Sequence, residues 1–139
     1  MAKTRLDTVV RLRERVEDDA LASFARARTS LDTARVRLDG AVRASRADAR
    51  SAGPVELWVV DEHARRRALQ AVRAAEVAVQ DAVRGESTAR DGWLAARQEA
   101  DAARRARERK VVELVAEEAR RERRDVDELA TLRFNAAAR

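Results

Sequence analysis

The chain has no cysteine, isoleucine or tyrosine, one proline, four glycines and four aromatic side chains among 139 residues. Each scarcity excludes something. Without cysteine there is neither a disulfide framework nor thiolate chemistry. With so few aromatic, glycine and proline residues, a β-rich fold lacks both its strand formers and its turns. Without isoleucine, and with aromatics at 3%, an ordinary globular core is hard to fill. No run approaches the roughly 18–20 apolar residues of a membrane span. Met1–Val10 has no apolar core of a secretory signal, so a soluble, cytoplasmic protein is expected.

What remains is alanine and arginine. There are 31 Ala, 28 Arg, 16 Val and 11 Leu, but only Lys3 and Lys110 as lysines. Charged residues make up 40% of the chain, and 30 basic against 25 acidic groups leave a net charge of +5. The two signs alternate, as in Arg13-Glu14-Arg15. That pattern suits a solvated helix face laced with i,i+4 pairs better than a one-signed nucleic-acid patch. The composition is that of long, Ala-rich, charged helix, and the length suits one structural unit.

A helix is expected over about 4–51. Thr4 can cap it, and Asp7 follows three residues later. Its apolar positions recur at eleven: Val9, Ala20, Leu31 and Val42 on one line, Val16, Ala27, Leu38 and Ala49 on another. Eleven residues give a nearly straight stripe, widened by Phe24 and Ala34. Arg13 and Glu17 fill slots that a heptad counted back from Leu31 would make apolar, which argues for the hendecad. Ser51-Ala52-Gly53-Pro54 is the one clear break. A second helix is expected from about 54 to 134. Its stripe is patchy through Leu69, Glu76 and Val83 and through Val72, Val79 and Glu86. It resumes at Trp93, Ala96 and Ala100. Gly85 and Gly92 mark a soft spot in that helix, or else a turn that would give three helices.

The expected fold is therefore all-α: two long helices in an antiparallel coiled-coil hairpin, a single domain over 1–139, with the turn at 51–54. A tight turn there sets Leu6 opposite about Glu99. The second helix then runs on for about 35 residues, on the order of 50 Å. This free end still carries Val112, Val115, Val126, Leu129 and Leu132. An apolar stripe on a lone helix gains nothing in water, so it needs a partner.

Catalysis is not expected. No phosphate loop, nucleophile elbow or HExxH is present. His63 stands alone, with Asp61 and Glu62 off its face, so neither metal nor cofactor is implied. Carboxylate pairs such as Asp18-Asp19 and Glu117-Glu118 lie on open faces, without the burial that acid chemistry requires. Trp58 and Trp93 can each plug the seam. Trp58 can instead anchor a partner, because Val55-Glu56-Leu57-Trp58-Val59-Val60 cannot all face one helix.

The segments Arg107-Glu108-Arg109-Lys110-Val111-Val112-Glu113-Leu114-Val115, Arg120–Arg124 with Asp125-Val126-Asp127-Glu128-Leu129-Ala130, and Arg133-Phe134 resemble the C-terminal half of FliJ-type flagellar export proteins. Leu6, Val9-Val10-Arg11-Leu12-Arg13 and Glu14 resemble the family's opening run. The resemblance implies a non-enzymatic, cytoplasmic component of flagellar type III export, peripheral to the inner membrane at the flagellar base. It would act as a stalk in the ring of the export ATPase and contact the export gate and export chaperones. The ATPase side would be Leu6, Val9, Leu12, Val16, Val112, Val115, Val126, Leu129, Leu132 and Phe134. The gate side would be Leu57, Trp58, Asp61, Ala64 and Ala68, where the sequence departs from the family's apolar line and His63 is out of phase. Neither nucleic acid nor a small-molecule substrate is implied. Two other readings are a homo-oligomeric coiled-coil scaffold and a basic surface built on Arg104, Arg105, Arg107, Arg109 and Lys110.

Overall fold

The computed structural model describes residues 5–46 and 53–137. They form two helices, α1 (Leu6–Arg46) and α2 (Val55–Ala137), and no strand among the described residues. The helices pack against each other as an antiparallel pair, the second the longer. Ala, Arg, Glu and Leu are strong helix formers, and no proline interrupts either helix. α2 starts directly after Pro54, whose carbonyl accepts the Leu57 amide at 3.0 Å. Asp7 and Glu56 sit in the first turns, and Arg43 and Arg46 close α1, each complementing the helix dipole. Thr4 and Ala49 lie outside the described residues. α2 reaches Ala137, beyond the expected end at 134.

α2 passes through Gly85 and Gly92 without interruption, so the three-helix alternative does not form. No described glycine has a positive φ. A Cβ added at Gly40, Gly85 or Gly92 would meet nothing within 4 Å.

The chain divides into two compact units: Asp18–Ala95, and Met1–Glu17 with Ala96–Arg139. In the first of these, the half-buried and buried positions of α1 are Ala20, Phe24, Ala27, Leu31, Ala34, Leu38, Ala41, Val42 and Ser45. Those of α2 include Ala68, Val72, Ala75, Val79, Ala82, Glu86, Ala89 and Trp93. Apart from Val42, both sets alternate steps of three and four. This is the heptad of a left-handed coiled coil, not the eleven-residue repeat. The hendecad matched in part because eleven is a heptad plus four, so each such step jumps between the two heptad lines. Leu69 and Val83 are 48% and 44% exposed; the line beside Val72 and Val79 is the Ala68–Ala75–Ala82–Ala89 row instead. Alternate seam positions on both helices are alanine, so the backbones can close without bulky filler.

In the unit formed by the chain's two end segments, Val10 is 9% exposed and Ala100 is fully buried, while Val9 and Val16 are 43% and 41% exposed. Burial there falls on Val10, Glu14 and Glu17, while Arg13 is exposed. The charges have partners: Glu14 and Glu17 bond Arg104, and Arg13 pairs with Glu99. The expected register is corrected by the same contacts. Glu99 meets Arg13 rather than Leu6, and Asp7 meets Arg107. Counted from the Phe24–Trp93 contact, Arg46 falls opposite Ala71, so the first turns of α2 have no described α1 residue beside them. The free end is correspondingly shorter, about 30 residues or roughly 45 Å.

Replacing Gly85 and Gly92 by Ala should stabilise the protein by about 1 kcal/mol per site. Urea or thermal melts followed by circular dichroism would measure this; a loss of stability would show that the glycines serve a bend.

Candidate partner-binding surfaces

The paired end of the hairpin is held by charge. Arg104 is the centre: its Nε donates to Glu14 at 3.1 Å, Nη2 to Glu17 at 3.0 Å and Nη1 to Asp101 at 2.8 Å. Arg107 donates from Nε to Asp7 at 2.5 Å. The Arg104 guanidinium is raised above the usual arginine range by its bonds to Glu14, Asp101 and Glu17, and Arg107 is raised by Asp7. A raised folded-state value favours the fold at every pH below the unfolded value, so both arginines contribute throughout the physiological range. An open groove of about 480 Å³ runs beside them, lined by Asp7, Val10, Arg11, Glu14, Arg104, Arg107 and Glu108. The groove is open to solvent rather than enclosed.

Beyond Arg107, α2 leaves its partner. Every residue from Arg120 to Ala137 is exposed. The expected ATPase-side residues of this end are all open to solvent: Val112 68%, Val115 56%, Val126 63%, Leu129 59%, Leu132 60% and Phe134 75%. On α1, Val9, Leu12 and Val16 are exposed and Leu6 is half-buried. The apolar line on the free end is not the seam prolonged. Steps of seven from Arg107 reach Leu114, Arg121, Glu128 and Asn135, which are mostly polar. Steps from Val112 and Val115 reach Ala119, Val126 and Leu129. These positions lie roughly 100–140° around the helix from the Arg107 line. A partner would therefore approach from a side different from the one α1 occupies. Sequence spacing alone missed this change of face, because it did not fix which line was the seam.

The free end carries its own support. Lys110 pairs with Glu113, and Arg121 with Glu117, each at 2.8 Å. Glu113 raises the Lys110 pKa, and Arg121 lowers that of Glu117. The Glu117 contribution is present above the ordinary carboxylate range and fades as pH falls through it. Both pairs are exposed, so each is worth little.

Within the Asp18–Ala95 unit, the two tryptophans divide their roles. Trp93 stacks on Phe24 with ring centroids 5.8 Å apart and planes 4° from parallel. Trp58 is 60% exposed, among Val55, Leu57, Val59 and Val60, which are 44–68% exposed. Of the remaining gate-side residues, Ala64 is exposed, while Asp61 and Ala68 are half-buried on the seam phase. They therefore do not form one exposed line with Leu57 and Trp58. His63 is exposed, and no metal-holding cluster occurs among the described residues. The basic surface also loses members: Arg104, Arg107 and Lys110 are engaged by carboxylates.

Trp93→Ala should cost about 2–4 kcal/mol, somewhat below the loss for a fully buried ring. Trp58→Ala should change stability little. Urea titrations of the two variants would check this, and equal losses would contradict the division.

No helix of the described residues is long and apolar enough to cross a membrane. Comparison with curated proteins and with solved structures finds no match. A family model, that of the flagellar FliJ protein, matches residues 1–139. The heptad hairpin, the unequal helices and this whole-length match agree, and the chain belongs to the FliJ family.

Proposed function

We propose that this flagellar export component is a non-enzymatic stalk whose free end enters and activates the export ATPase ring. The observation that carries the reading is the exposed apolar line Val112, Val115, Val126 and Leu129 on a helix with no partner beside it. A ring of subunits would enclose such a helix and bury the line from outside. The exposed Val9, Leu12 and Val16 of α1 lie toward the same paired end and would extend the contact. The tip, with Leu57 and Trp58, would face the export gate, and export chaperones would dock on the hairpin. In this reading the protein works in the cytoplasm, at the inner face of the membrane around the flagellar base.

The same exposed line also supports a homo-oligomeric scaffold, in which two free ends cover each other. The two readings separate on mass: a monomer at micromolar concentration argues against self-pairing.

Val115→Asp with Leu129→Asp puts two charges on the line, on a helix end that packs against nothing. Helicity should remain, and stimulation of the purified export ATPase should fall to the level of the ATPase alone. Undiminished stimulation by this variant would sink the proposal.

A further inference from the structure

The seam repeats itself almost perfectly, and this creates a problem of register. In the Asp18–Ala95 unit, counting along the seam from Phe24–Trp93 sets Ala27, Ala34 and Ala41 opposite Ala89, Ala82 and Ala75 of α2. Sliding α1 by one heptad toward the start of α2 leaves every one of them opposite an alanine still, from Ala82 down to Ala68. Leu31 then faces Val79 instead of Glu86, and Leu38 faces Val72 instead of Val79. The aliphatic seam does not oppose the slip. Nor does Arg104 alone, because Arg97 stands one heptad before it and would meet the same glutamates.

Three contacts do discriminate. In the slipped register Phe24 loses Trp93 and faces Glu86. Asp7 loses Arg107 and faces Ala100. Arg13 loses Glu99 and faces Gly92. None of these partners recurs one heptad away on its line, so none of the three contacts survives a one-heptad slip.

We propose that the Phe24–Trp93 stack and the Asp7–Arg107 and Arg13–Glu99 ion pairs select one register among several of similar packing, and thereby set how far α2 projects beyond α1. A one-heptad slip lengthens the free end by about 10 Å. Polar contacts at coiled-coil seams act in this way, contributing little stability but specifying alignment. The proposal does not depend on what the free end binds.

The test moves the three marks together. Trp93→Glu with Glu86→Trp, Arg107→Ala with Ala100→Arg, and Glu99→Gly with Gly92→Glu carry each partner one heptad back along α2. The chain has no cysteine, so spin labels can be attached solely at introduced Arg15→Cys and Ala116→Cys, both exposed positions. The unmodified seam should give one label distance, and the transplanted seam one distance longer by about 10 Å. An unchanged distance in a helical transplant overturns the proposal. If the transplant loses helicity, the subtractive variant Phe24→Leu, Trp93→Leu, Arg107→Gln, Glu99→Gln, which removes all three contacts, decides. Two populations about 10 Å apart support the selection, and a single native distance overturns it.

Discussion

Everything in this molecule depends on a seam only two side chains wide. A hairpin of two helices has no other interior, so each seam residue is packed on one side and wet on the other. Alanine makes such a seam workable. It gives up little side-chain entropy on folding, favours helix, and lets two backbones approach closely. The weakness of alanine is its small buried area, about one methyl per position. The larger residues on the alternate line, Phe24, Leu31, Leu38, Val72, Val79 and Trp93, supply most of what apolar stabilisation there is.

Charge does different work in different places. Along the outer faces, pairs such as Asp39–Arg43 and Glu62–Arg66 lie one turn apart and add a few tenths of a kcal/mol each. At the paired end, arginine and carboxylate replace apolar residues in the seam itself. Glu17 keeps 19% of its side-chain exposure and Arg104 39%, so both are partly withdrawn from water while remaining bonded. Arg104 shares its guanidinium among Glu14, Glu17 and Asp101, so losing one carboxylate leaves it two others.

Much of this was legible in the sequence. The helical composition, the break at Gly53-Pro54 and the unequal lengths follow from propensity and punctuation, which are local. The register and the heptad were not legible in the same way. Arg13 and Glu17 seemed to disqualify the heptad, because a charge at a seam position is tolerable only if an opposite charge stands across from it. Glu99 and Arg104 are more than eighty residues away in sequence, and no local pattern links them. Among Leu57, Trp58, Asp61, Ala64 and Ala68, only Asp61 and Ala68 are half-buried, a difference that spacing does not show, because Trp58 lies on the same heptad line as Trp93. The exposure of Val112, Val115, Val126, Leu129, Leu132 and Phe134 was legible because it follows from length alone.

The exposed end of α2, from Arg120 to Ala137, is already helical before anything covers it. A segment that folds only on binding must give up conformational entropy at that moment, which weakens the complex. Here that loss is taken in advance, because the segment continues a helix nucleated and packed elsewhere. A partner gripping it meets a preformed rod, so the contact energy goes into affinity rather than into ordering the chain.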